Sequence, residues 1–232
     1  MNEFVSGIVD AARLIRTLDP ALLEIITLSL QVSLSAVAIA ALIGLPLGAL
    51  LAITRFRGRM SLIVAVNTLM GLPPVVVGLL VYLMLSRVGP FGVLGLLFTP
   101  YAMIIAQAIL VTPIITAVSR QIVADLWQEY REQLHSFRAR PRQIAATLLW
   151  DGRFRLMTAV LAGFGRAVAE VGAVMIVGGN IEHSTRVLTT AIALETSKGN
   201  LSLAIGLGMI LIVLSLGVNL VVHLVANAGA DE

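Results

Sequence analysis

The sequence has no cysteine, which excludes disulfides, thiolate catalysis and cysteine-based metal centres together. Histidine is almost as scarce: His135, His183 and His223 stand far apart, without the spacing that lets imidazoles share a metal. No GxxxxGK[ST] stretch occurs, so the chain has no phosphate loop for ATP hydrolysis. Histidine or carboxylate clusters with catalytic spacing are also missing, which leaves a membrane-embedded enzyme a distant reading. With no internal repeat or low-complexity tract, a single domain over 1–232 is expected.

Charge is the largest deficit. Only 12% of the 232 residues are charged, 58% are hydrophobic, and mean hydropathy is +0.97. A water-soluble domain of this length cannot bury so much apolar surface, so a bilayer is the expected solvent. The charge-free runs Ile25–Thr54, Met60–Ser86, Val88–Ser119 and Gly199–Ala230 each exceed the ~20 residues that cross the hydrocarbon as a helix. The fold class expected is an all-α membrane protein of about five transmembrane helices: Glu24–Thr54, Met60–Ser86, Pro100–Ser119, Gly152–Gly179 and Asn200–Ala226. Ahead of them, Phe4, Ile8, Ala11, Ile15 and Leu18 recur at helical spacing. Residues 1–23 read as an amphipathic helix on the membrane surface or as a solvated leader. Acidic Glu3 and the lack of a basic start argue against a signal peptide.

The net charge is +3 and the isoelectric point near 9.9, yet the arginines sit in short loops rather than on one face, so topology and not nucleic acid explains them. Arg55, Arg57 and Arg59 join Arg120, Arg131, Arg138, Arg140, Arg142, Arg153 and Arg155 on one side, ten in all. Arg13, Arg16, Arg87, Arg186 and Lys198 make five on the other. The richer side is expected to be cytoplasmic, with the amino terminus outside and the carboxyl terminus inside.

Three features interrupt the spans. Gly44 and Gly48 flank Pro46, and either a close helix contact or a kink follows. GLPPVVVG, Gly71–Gly78, places Pro73 and Pro74 where neither can donate to a helical ladder. The break must then be covered by protein or line a wet cavity, and a pathway element and a structural kink both stand. In GFGRAVAEVGA, Gly163–Ala173, Arg166 and Glu170 lie four apart, where one helix face pairs them. Ionised groups at that depth cost at least ~2.5 kcal/mol each, so they are either mutually neutralised or part of a gate.

The polar loop 120–155 carries seven arginines. Glu129, Glu132 and Leu134 belong to a first helical segment; Arg140 precedes Pro141, a favourable first helical residue; and Ile144, Ala145, Leu148 and Leu149 form one apolar stripe. Two short helices meeting at a cationic bend make a docking knob.

Here the chain resembles the membrane-spanning subunits of ATP-binding-cassette importers. Their cytoplasmic loop begins Glu-Ala-Ala, continues after three residues with Gly, and ends in an apolar pair and Pro. Glu132 takes the first position and Ala139 the one after the Gly. Gln133 and Leu134 replace the alanines, Arg138 replaces the Gly, and Asp151 stands where Pro is usual. GLPPVVVG, GFGRAVAEVGA and GGNIEHSTRVLTTAI resemble the molybdate and tungstate branch, and LTTAIALETSKG is most similar to tungstate permeases. The resemblance covers about Glu24–Ala226.

The resemblance implies a homodimeric pore in a prokaryotic inner membrane that imports an oxyanion, tungstate in the first place or else molybdate. Two separate ATPase subunits, which use ATP and Mg, would dock on the loops through Glu132, Leu134, Arg138, Ala139, Arg140, Pro141 and Ile144. An extracytoplasmic binding protein would deliver the anion, and this chain would bind no cofactor itself. Pro73, Pro74, Arg166, Glu170, Asn180, Thr189 and Thr190 are the candidate pathway or gate residues. The rival reading is a stand-alone channel or ion-coupled carrier, although the spans offer few titratable groups beyond Glu170 and His223.

Overall fold

In a bilayer the backbone can be satisfied only by internal pairing, so helices are the economical solution for a chain this apolar. The computed structural model describes residues 20–228, and every regular element among them is helical. The elements are α1 (Pro20–Ile53), α2 (Arg59–Met70), α3 (Pro74–Leu85), a 3-10 turn (Gly92–Leu94), α4 (Pro100–Ser136), α5 (Pro141–Asp151), α6 (Arg153–Val168), α7 (Gly172–Gly178), α8 (Leu188–Ser197) and α9 (Leu201–Ala228). Three helices, α1, α4 and Leu201–Val222 of α9, are long and apolar enough to cross a membrane. The bent pairs α2–α3 and α6–α7 bring the number of spans to as many as five, in the order the sequence predicts. The expected interfacial helix over Met1–Leu18 lies outside the described residues. The first span is already helical at Pro20, ahead of the expected Glu24.

The third span differs most from expectation. It does not end near Ser119 before a separate loop helix but continues as one helix of 37 residues to Ser136. Between Arg120 and Ser136 there is no glycine or proline, and Ala, Leu, Glu, Gln and Arg sustain a helix whether lipid or water surrounds it. Pro113 lies inside α4. Around it the Thr112 hydroxyl donates to the Ala108 carbonyl at 2.6 Å and the Thr116 hydroxyl to the Thr112 carbonyl at 2.7 Å.

The chain forms two compact units. The first contains the described part of Met1–Ala36 with Pro73–Gln107 and Ala167–Asn219. Its core joins Leu22 of α1, Leu188 and Ala191 of α8, and Leu207 and Ile210 of α9. In the same unit α3 packs on α7 at Gly78, where a Cβ atom would stand 2.7 Å from the Ala173 Cα.

The second unit contains Val37–Leu72, Ala108–Arg166 and the described part of Leu220–Glu232. Ala49, Val123, Leu126, Ile144, Ala145, Leu148 and Leu156 form its core. Gly44 and Gly48 resolve in favour of close contact: a Cβ on Gly48 would meet the Ser119 Oγ at 2.0 Å and the Thr116 carbonyl at 2.7 Å. The Ser119 hydroxyl also donates to the Gly44 carbonyl at 3.2 Å, while α1 runs through Pro46 without ending.

Candidate functional site

The loop is built by a helix end that needs a left-handed residue. Arg138 supplies it with φ 51°, a conformation that costs a side-chain-bearing residue about 1 kcal/mol and that glycine adopts freely. The Arg138 amide donates to the His135 carbonyl at 3.0 Å and the Ala139 amide to the Leu134 carbonyl at 3.2 Å. Both close the end of α4 in the pattern of a left-handed helix stop. Leu134 and Ala139 each pack against the unit core. Arg138 therefore takes the backbone shape of the glycine it replaces.

Arg140 is extended, as a residue before proline must be, and its amide donates to the Gln143 side chain at 2.9 Å. Pro141 then opens α5. At the far end, Asp151 closes α5 and only Gly152 separates it from α6. Helical pitch persists across that residue: the Gly152 amide bonds the Leu148 carbonyl at 2.9 Å and the Leu156 amide bonds the Gly152 carbonyl at 2.8 Å. Without proline at position 151, the exit is nearly continuous. Gly152 also lies close to α4, since a Cβ there would stand 2.6 Å from Leu126 Cδ1.

The apolar stripe of α5 faces inward within its unit. Ile144, Ala145 and Leu148 are buried in the unit core against α1 and α4; burying an amphipathic helix against its own chain satisfies the same pattern as a partner would. The bend itself is what faces outward: Glu132, Arg138, Arg140, Pro141 and Arg142 are exposed, and Phe137 is 79% exposed. Phe137 escaped sequence reasoning although a phenylalanine between Ser136 and Arg138 in a charged loop is itself a signal. Trp150, 72% exposed, lies beneath the Arg153 guanidinium at 4.9 Å from its ring centre.

In the first unit, the interruption of the fourth span gathers several predicted residues. Helix α6 ends at Val168 with Arg166 in its last turn, and Glu170 follows in the break. Glu170, 2% exposed, accepts the Ala173 amide at 3.0 Å through Oε1, satisfying a free donor at the start of α7. Two carbonyls released by the break find side-chain donors. The Gln107 amide donates to the Ala167 carbonyl at 3.1 Å and the Thr189 hydroxyl to the Glu170 carbonyl at 2.9 Å. Gln107, 3% exposed, was not singled out by sequence, yet a lone amide in the Val88–Ser119 run was the available cue. Ser29, Ser33, Gln107 and Thr189 border a cavity of about 20 Å3, enough for a water molecule.

Thr190 is fully buried and caps α8 locally, donating to the Val187 carbonyl and accepting the Val187 amide, both at 3.0 Å. Asn180, at φ 49°, reaches the Thr190 carbonyl with its Nδ2 at 3.4 Å. Thr185, also fully buried, donates to the Gly178 carbonyl at 2.6 Å and accepts the Ile181 amide at 2.9 Å. Pro73 and Pro74 open α3 as cap and first residue, and Val75 lies against Gly172 at the start of α7, with a Cβ there 3.0 Å from Val75 Cγ2. On the loop between α7 and α8, His183 Nδ1 is 2.8 Å from the Glu24 carboxylate, whose hydrogen bond and charge raise the imidazole pKa. Among the described residues no group of histidine and acidic side chains could hold a metal.

Comparison with known proteins fits this arrangement. Residues 44–228 match the family described as binding-protein-dependent transport system inner membrane component. A probable anion ABC transporter permease protein of Haloferax volcanii is 45% identical over 203 residues, covering 85% of this chain and 88% of its own length. The tungstate uptake system permease protein TupB of Peptoclostridium acidaminophilum is 40% identical over 223 residues, 96% of this chain and 98% of that protein. The molybdenum transport system permease protein ModB of Azotobacter vinelandii is 27% identical over 192 residues, 73% of this chain and 79% of its own. Both helix breaks and the whole arginine-rich loop fall inside the matched region, and the chain, a multi-pass membrane protein, belongs to the family of binding-protein-dependent transport system inner membrane components.

Proposed function

We propose that this chain is the permease subunit of an ATP-driven importer for a tetrahedral oxyanion of the tungstate class. Two copies enclose the pathway, an extracytoplasmic binding protein delivers the anion, and two ATPase subunits, which carry the ATP and Mg, dock on the loop after α4. The amino terminus is outside and the carboxyl terminus cytoplasmic, in keeping with the distribution of arginines. Substrate class is supported by the relatives named for tungstate uptake, which align over nearly the whole chain in one case.

One observation carries the docking role: the bend Phe137–Arg142 projects an exposed aromatic ring among arginines while the residues around it are fixed by the core. A rigid anchor with an aromatic and guanidinium tip is what a partner groove grips. Because α4 is continuous from Pro100 to Ser136, movement of the docked partner passes directly into a span, biasing a two-state opening.

The test is co-purification of the ATPase and ATP-dependent tungstate uptake in Phe137→Asp and Arg138→Glu variants. Both are expected to fall at least about tenfold, roughly 1.4 kcal/mol, with membrane insertion unchanged. Arg138→Gly, which keeps the left-handed bend, is expected to retain ATPase capture. Normal uptake and capture in both charge variants would overturn the docking role, and uptake by the chain alone would make it a stand-alone carrier.

A further inference from the structure

After α1 ends, the chain turns through Thr54–Gly58, with Gly58 at φ 91°, and resumes helix at Arg59. On α4, Ala124, Trp127, Gln128 and Arg131 fall on one helix face by their spacing. The turn and this face enclose a cavity of about 230 Å3 within the second unit, and Arg55, Arg59 and Arg131 line it. No carboxylate borders the cavity. Among the described residues, none of the three arginines forms an ion pair.

Arg59 is already oriented. Its Nε–H donates to the Leu51 carbonyl in the last turn of α1 at 2.7 Å, which leaves its terminal amino groups as donors. Three guanidinium groups around one space repel one another until an anion joins them, and their forked donors match phosphate oxygens. The surroundings select the kind of phosphate. The turn lies where one apolar helix ends and the next begins, the level of lipid headgroups in a spanning protein. Phe56 is 48% exposed and Met60 69% exposed beside Arg55 and Arg59, apolar side chains that suit acyl chains better than water. Trp127, on the cavity wall, is a residue type enriched at the membrane interface.

We propose that this cavity binds the phosphate of an anionic phospholipid through Arg55, Arg59 and Arg131, with Gln128 as an additional donor. The lipid is held between the end of α1 and the extension of α4, and so braces the base of the loop. This site requires only that α1 and α4 span a membrane, so it stands or falls separately from the identity of the transported anion.

Native mass spectrometry of the full-length chain in detergent tests it, with dioleoylphosphatidylglycerol, dioleoylphosphatidylcholine and inorganic phosphate as probes. Phosphatidylglycerol is expected to bind at least about tenfold more tightly than phosphatidylcholine. Arg131→Gln and Arg55→Gln should each weaken phosphatidylglycerol about fivefold, the loss for one arginine near a lipid surface, and leave phosphatidylcholine unchanged. Arg131→Lys, which keeps the charge and loses the fork, should weaken it less than Arg131→Gln, and Arg87→Gln, which does not line the cavity, should have no effect. Equal binding of the two lipids, or an unaltered preference in Arg131→Gln, overturns the proposal. Displacement of the lipid by millimolar phosphate also overturns it, because the cavity would then be a site for a soluble oxyanion.

Discussion

At Pro73–Pro74 the helix is interrupted by covalent structure, whereas at Ala169–Val171 it is interrupted by side chains. The proline pair has no amides to leave unsatisfied, and the neighbouring donors close onto the nearest carbonyls. Gly71 bonds Thr68 at 3.1 Å, Leu72 bonds Leu69 at 3.3 Å, and the Val76 and Val77 amides share the Pro73 carbonyl at 3.0 and 3.3 Å. The second break contains no proline. It is held by three groups distant in sequence or one turn away: Glu170 on the Ala173 amide, Gln107 on the Ala167 carbonyl, and Thr189 on the Glu170 carbonyl. One break is self-sufficient and the other is assembled by tertiary structure. The second should therefore be much more sensitive to single substitutions.

The largest effect is expected for Glu170→Ala, which strips the acceptor from a buried amide and should cost about 2 kcal/mol, read as a lower Tm of the detergent-purified chain. Glu170→Gln keeps an oxygen acceptor and should recover most of that loss; equal losses would show that charge rather than capping matters. Gln107→Leu is next, at about 1 kcal/mol, because the Ala167 carbonyl still receives the Glu170 amide at 3.2 Å. At the first break, Pro74→Ala should change stability by less than about 0.5 kcal/mol, since the first helical position tolerates either residue. A larger drop there than in Glu170→Ala would reverse the comparison.

The smallest effect is a pH dependence confined to the loop that follows the second break. The His183 pKa is raised by its hydrogen bond to Glu24 and then by that carboxylate's charge. A raised folded pKa means the contribution is fully present below the ordinary value of ~6.5 and fades as pH rises through the folded pKa. A slight fall in Tm across that window, absent in His183→Gln, is the expected reading. No titratable residue lies between Gly71 and Val75, so the first break should show no such drift.

The spans were legible because charge-free runs report the surrounding solvent directly, and GLPP announced its break through the chemistry of proline. The second break was only half legible. The spacing of Arg166 and Glu170 could not show that the helix stops at Val168, since the donors that satisfy the released carbonyls come from Gln107 and Thr189. In the loop, hydropathy marked the end of the third span at Ser119, while helix continuation depends on breakers, and none intervenes before Ser136. The α5 stripe was correctly apolar, yet pattern alone does not distinguish burial against its own chain from burial against a partner. Arg138 was a different case: a family glycine replaced by arginine pointed to a changed bend, and the backbone kept the glycine-like φ of 51°.

The uninterrupted α4 also fixes a mechanical ratio. From Pro113 to Ser136 the helix extends roughly 35 Å at 1.5 Å per residue, so a change of direction of ~10° at the proline, where one ladder bond is lost, displaces the tip by about 6 Å. In the opposite direction, a displacement of about 6 Å at the tip corresponds to a rotation of only ~10° at the proline.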